Sequence, residues 1–178
     1  MSVNAYLKLK KPVEVKLVIG LIYSSETDYA NAKDKLLKKF GKTDYETDKM
    51  SFSETDYYCP EMGRPLYKRL ISFIKLRGQD DFVKIKRAIM HIESGLSVKG
   101  NRRVNIDPGY LTEAKFVLIT TKDYAHRIAI GKGIFAEVTL QYKAGTFQVL
   151  PTTYPDFKTD KYISVLSEIR KIYRKQIR

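Results

Sequence analysis

Between Val13 and Tyr23 apolar side chains first alternate with Glu14 and Lys16, then run unbroken from Leu17 to Tyr23. A segment that is apolar at successive positions suits a strand covered on both faces, so the pattern predicts a central strand. Ser24 and Ser25 then offer N-caps, and Glu26 and Asp28 place negative charge in a first helical turn. Tyr29, Ala32, Leu36 and Phe40 repeat on one helical face until Gly41 stops the helix. The stretch from Lys42 to Phe52 carries Tyr45, Met50 and Phe52 among polar residues and reads as a half-exposed edge strand. A short extended piece around Tyr57 and Tyr58 follows and ends at Pro60.

After Pro65, the spacing of Leu66, Leu70, Phe73 and Ile74 predicts a helix, and that of Phe82, Ile85, Ile89 and Ile92 a second one. Arg77-Gly78-Gln79 is then the turn between them, and Gly95 to Gly100 a polar loop. Strand patterns return at Arg103–Ile106, which stops at a Pro108-Gly109 turn, and at Phe116–Thr121. A hairpin follows, Arg127–Ile130 with Ile134–Tyr142 across Gly131-Lys132-Gly133, and Thr146–Leu150 pairs back across Ala144-Gly145. Tyr162, Leu166, Ile169 and Tyr173 space as an amphipathic helix within 159–178. Strands, then helices, then a strand meander imply an α+β fold: a mixed, mostly antiparallel sheet with helices packed mainly on one face.

At 178 residues the chain fits one domain spanning 1–178, with 1–11 reading as a flexible N-terminus. The 33 Lys and Arg against 20 Asp and Glu leave +13, a balance that favours polyanions: phosphorylated small molecules, nucleic acid, or acidic membrane surfaces. A single cysteine, Cys59, excludes an intrachain disulfide and a Cys-based zinc cluster. No apolar run approaches the roughly 20 residues a bilayer requires, and Met1–Lys11 has no leader-like apolar core, so a cytoplasmic location is expected.

Candidate chemistry concentrates between Asn101 and Glu137, where polar groups stand at strand ends. Strand alternation puts Asn105 and Asp107 on one face, opposite Ile106. Asp107 either caps its own Pro-Gly turn or holds a metal or a ribose hydroxyl. His126 is the residue suited to proton transfer near neutral pH, and Arg127 has the fork to clamp a phosphate or carboxylate. Ala136, Val138, Leu140 and Tyr142 form an apolar face, which leaves Glu137 on the other one. Open to water, Glu137 is merely solvated; roofed over, it joins Asp107 and His126 in a carboxylate–imidazole site. A divalent metal on Asp107 and Glu137 has no diagnostic spacing behind it. Tyr57 and Tyr58 suit base stacking, with Glu61 as acceptor, and Thr153–Phe157 is a turn or a lid. Arg170, Lys171, Arg174, Lys175 and Arg178 make a solvated helix face or a stripe for backbone phosphates.

The blocks Phe52–Gly63, Arg102–Leu111, His126-Arg127-Ile128, Gly133–Leu140 and Thr153–Asp156 resemble an uncharacterised bacterial family, domain of unknown function 4416. The resemblance runs from about the first strand to the Pro155 turn, and it brings no established activity. It implies a shared set of polar positions: Asp56, Tyr57, Glu61, Arg102, Asn105, Asp107, Lys122, His126, Arg127, Glu137 and Asp156. A GTP-binding description attaches to some members. Here Gly41-Lys42-Thr43 lacks the glycine five residues earlier and closes a helix instead of opening one, and Thr121-Lys122-Asp123 lacks a guanine-reading spacer.

The expectation is a protein that binds a nucleotide or nucleic-acid end. Arg102, Asn105, Lys122, Arg127, Tyr57 and Glu61 would hold the ligand, and His126, Glu137 and Asp107 would serve hydrolase- or transferase-type chemistry. The alternatives are a non-enzymatic RNA- or DNA-binding module and an adaptor that meets a protein partner through exposed tyrosines. Cofactor and oligomeric state are not specified by the sequence.

Overall fold

The computed structural model describes residues 12–178, so the flexible terminus expected over 1–11 falls outside the described residues. Among the described residues nine strands, β1 (Lys16–Tyr23), β2 (Thr43–Glu46), β3 (Met50–Ser51), β4 (Tyr67–Phe73), β5 (Val104–Leu111), β6 (Lys115–Thr120), β7 (Ile128–Gly131), β8 (Ile134–Lys143) and β9 (Thr146–Val149), form one sheet. Its order is β2-β4-β1-β5-β6-β8-β7, with β3 on β4 and β9 on β8, and the pairings between these strands are antiparallel. Strand β1 (Lys16–Tyr23) lies centrally between β4 (Tyr67–Phe73) and β5 (Val104–Leu111), and every one of its residues is buried. Helices α1 (Glu26–Phe40) and α3 (Phe82–Leu96) cover one face. Leu17, Ile19, Leu21, Ile71, Phe73 and Ile106 meet Tyr29, Leu36, Phe82 and Ile89 there in a continuous apolar core. Helix α4 (Asp160–Gln176) covers part of the other face over Val18, Leu70, Phe116, Leu140 and Phe147. No helix among the described residues is long and apolar enough to cross a membrane.

The Ser25 side chain accepts from the Thr27 N–H at 3.2 Å to cap α1, and Tyr29, Ala32, Leu36 and Phe40 are its buried stripe, as their spacing predicts. The Lys42–Phe52 segment divides into β2 (Thr43–Glu46) and β3 (Met50–Ser51), both on the outer edge of β4.

Four expectations are overturned. The helix predicted over Leu66–Ile74 is strand β4. A central strand buried on both faces places apolar residues at helical intervals by accident: Leu70 faces α4, while Ile71 and Phe73 face α1. The extended piece ending at Pro60 is instead a single helical turn, α2 (Cys59–Met62), closed by Gly63 in a left-handed conformation. Pro108-Gly109 is no turn; β5 runs straight through it. Gly109 is needed because a Cβ there would lie 2.6 Å from the Val117 carbonyl oxygen of β6 (Lys115–Thr120). Pro108 stands where that pairing ends, and its missing N–H faces an edge with no partner strand.

The fourth correction concerns β8 (Ile134–Lys143), which pairs β7 (Ile128–Gly131) and β9 (Thr146–Val149) along one edge. Its register against β6 slips at Thr139, since Val117 faces Val138 but Phe116 faces Leu140. That extra residue sends Leu140 and Tyr142 to the α4 side, while Ala136 and Val138 stay with α1 and α3. Glu137 therefore shares a face with Leu140 rather than opposing it. It is buried, not solvated.

Candidate functional site

Strands β5 and β6 pair only from Gly109–Leu118 to Leu111–Phe116; above that point they separate, and the sheet splits. The exposed edge of β5 is satisfied across the split by α3: Glu93 accepts from the Ile106 N–H at 2.7 Å, and the Lys86 ammonium stands 3.5 Å from the Ile106 carbonyl oxygen. A cavity of about 450 Å³ occupies the split and the adjoining α4-side face of the sheet. Its roof is made by the chain around Tyr57 and Tyr58 and by the Tyr154–Phe157 loop.

Arg102, Asn105, Asp107, Lys122, Arg127, Glu137 and Tyr57 all line this cavity, so sequence-distant candidates do converge. Glu61 and His126 are not on its wall and act from behind it. Arg103 turns away to pair with Asp28 of α1 at 3.0 Å. The lining cations are Lys68, Lys86, Arg102, Lys122 and Arg127, and the lining carboxylates Glu54, Glu93, Asp107, Glu137 and Asp156; the wall is charge-balanced.

Most of those cations are already engaged. Arg102 donates from Nε to Glu61 at 2.8 Å and from Nη1 to Asn105 at 3.3 Å, while its ring neighbours are Tyr57 and Tyr58. This guanidinium holds the Glu61 carboxyl down to about 2. Arg127 uses Nε on Glu137 at 2.7 Å, Nη1 on the Lys122 carbonyl at 3.0 Å, and Nη2 on the Tyr154 phenol. Each guanidinium thus has all three nitrogens engaged, while each terminal nitrogen keeps a second N–H. The two arginines are straps that fix the two halves of the roof. Lys68 pairs with Asp156, both almost fully buried, beneath the rings of Phe52, Phe157 and Tyr162. Lys86 stands 3.6 Å from Asp107. Lys122 alone among the lining cations has no carboxylate partner within the described residues; its ammonium lies 4.4 Å from the centre of the Tyr57 ring.

The carboxylates are less completely matched. Glu137 receives both His126 Nε2, at 2.8 Å, and Arg127 Nε on the same oxygen, Oε2. Its Oε1 is buried and has no hydrogen-bond partner among the described residues, nor does the Thr139 hydroxyl beside the bulge. A buried acceptor left unpaired costs about 1–3 kcal/mol, which sets this carboxylate apart from the paired ones around it. Asp107 accepts from the Asn105 amide at 2.7 Å through Oδ2. Burial pushes the Glu93 carboxyl up to about 7, against the pull of Lys86. The Tyr154 phenol is raised by burial and then by the charge of Glu137, with a smaller push from Asp107.

Among the described residues no group of three or more His, Cys, Asp or Glu side chains is placed to hold a metal ion. Asp107 and Glu137, the pair considered for one, face Lys86 and Arg127. On α4, Arg170 stacks 3.4 Å from the Tyr142 ring centre and bonds the Glu113 carbonyl, Arg174 pairs with Glu113, and Lys171 pairs with Glu168, which uses three members of that stripe internally.

Lys68, Lys86 and Glu93 were not legible as site residues. Lys68 lay in the stretch mistaken for a helix. Lys86 and Glu93 did carry a signal: both fall on the apolar stripe of α3, beside Phe82, Ile85 and Ile89, where a charge needs a buried partner.

The fold and cavity define an α+β protein whose antiparallel sheet is opened between two strands to make a roofed, charge-balanced pocket. The chain belongs to the family described as domain of unknown function DUF4416, whose model matches residues 13–173. No curated protein and no solved structure matches it.

Proposed function

We propose that the cavity binds a small phosphorylated ligand, a nucleotide or the terminal nucleotide of a nucleic acid, with its phosphate at the mouth beside Lys122. The observation that carries this reading is the uncommitted Lys122 ammonium, next to the Thr121 side chain, in a wall whose other cations are paired. Tyr57 and Tyr58, 5.1 Å apart and edge-to-face, offer a surface for a planar base. A volume of about 450 Å³ suits a guest of this size. Hydrolase- or transferase-type chemistry would use Glu137 and Asp107 as proton acceptors at the ligand, with His126 acting through Glu137. Thermal unfolding in the presence of nucleotides and sugar phosphates, with and without Mg²⁺ or Mn²⁺, tests the reading. A phosphorylated compound raises Tm where its dephosphorylated form does not, and Lys122→Glu removes the difference. No shift with any phosphorylated compound contradicts it.

A second reading rests on a different surface. Lys35, Lys38 and Lys39 of α1 line a shallow groove with His91 of α3, which suits the backbone of RNA or DNA. Its affinity would fall steeply with salt and respond to Lys35→Glu with Lys39→Glu, not to Lys122→Glu. Salt-insensitive binding contradicts it.

A further inference from the structure

We propose that the inner wall of the cavity recognises a vicinal diol, as carried by a sugar phosphate or a ribonucleotide; the inference rests on the reading of this cavity as a phosphorylated-ligand site. Arg102 and Arg127 each engage all three guanidinium nitrogens, on Glu61 and Asn105 and on Glu137, the Lys122 carbonyl and Tyr154. Two acceptors are left over on the inner wall: Glu137 Oε1, on a side chain 2% exposed and without a partner among the described residues, and Asp107 Oδ1, which faces Lys86 at 3.6 Å.

A guest group meeting these two oxygens must bring its own hydrogens. A phosphate brings none and is repelled by two carboxylates, so it belongs at the other end, by Lys122. An ammonium brings hydrogens, but Lys86 and Arg127 already pair with these carboxylates and disfavour a further positive charge. The neutral double donor that remains is a pair of adjacent hydroxyls, the group for which carboxylates serve as acceptors in nucleotide sites.

Glu137→Gln tests the assignment with little change of shape. The amide oxygen stays on Arg127 and His126, which both need an acceptor there, and the NH₂ takes the place of Oε1. The acceptor becomes a donor. We expect ribose 5-phosphate to bind the whole protein roughly tenfold or more tighter than 2-deoxyribose 5-phosphate by calorimetry, because a site built for a hydroxyl strongly rejects its absence. AMP and 2′-deoxy-AMP form a parallel arm. Discrimination in the nucleotide arm alone identifies a ribonucleotide, and in the sugar arm alone a sugar phosphate. Glu137→Gln abolishes the preference. Should that variant fail to fold, the wild-type comparison decides. Equal affinity for oxy and deoxy forms overturns the diol while leaving the phosphorylated ligand standing; binding of no phosphorylated probe overturns both.

Discussion

Two clusters of buried charge share one face of this sheet, and they differ in whether their polar atoms are satisfied. Beneath the end of α4, fully buried Lys16 donates to Asp44 and to the side-chain Oε1 of Gln176, Ser72 donates to the other Asp44 oxygen at 2.6 Å, and the Gln176 side-chain Nε2 donates to the Ile74 carbonyl at 2.7 Å. At the far end, Glu137 holds His126 and Arg127 on one oxygen and leaves the other bare, with the Thr139 hydroxyl equally unpaired. The first cluster closes on itself and ties α4 to β1 and β2. The second stops short of closure at a cavity. The proposed binding reading turns on this difference: buried polar groups are normally paired, and only the second network leaves an acceptor and a hydroxyl over.

The largest effect that separates them is Asp44→Ala. It strands the buried Lys16 ammonium, whose basicity burial already lowers, and costs about 3–5 kcal/mol in urea-melt stability. A loss under about 1 kcal/mol would mean that the closed cluster does not support the fold.

Next is pH. Burial raises the Glu93 carboxyl from 4.5 to about 7, so the folded chain holds this proton more tightly than the unfolded chain. Its stabilising contribution is complete below about 4.5 and is lost as pH rises through about 7. Glu93→Gln keeps an acceptor for the Ile106 N–H and removes the charge; it should raise Tm at pH 8 and leave it nearly unchanged at pH 4.5. An equal change at both pH values contradicts the assignment.

The smallest contrast compares two hydroxyls. Ser72→Ala deletes a satisfied donor and should cost about 1 kcal/mol, whereas Thr139→Val deletes an unpaired one and should be neutral or slightly stabilising. Equal losses would erase the distinction between the clusters.

Much of the fold could be read before the structure, because helical stripes such as Tyr29–Ala32–Leu36–Phe40 report a single buried face. What misled was burial on two faces. In β4 it imitated a helix, and at Pro108-Gly109 a turn signal belonged to a strand edge and a close approach. The site was legible as a set of residue types, with Asn105, Asp107, Lys122, Arg127 and Glu137 brought to one wall. Their roles were not, since those depend on which bonds each side chain has already made. Arg127 shows why: its bonds to Glu137, the Lys122 carbonyl and Tyr154 depend on chain segments that the sequence does not place side by side.

The most direct test is an NMR titration of protein labelled with ¹³C in its tyrosine rings, using ribose 5-phosphate and, in parallel, AMP. The account predicts shifts at Tyr57, Tyr58 and Tyr154 around the cavity, and none at Tyr173, which bonds the Glu14 carbonyl near the closed cluster. Unmoved cavity tyrosines at saturating ligand, or shifts confined to Tyr173, would contradict it.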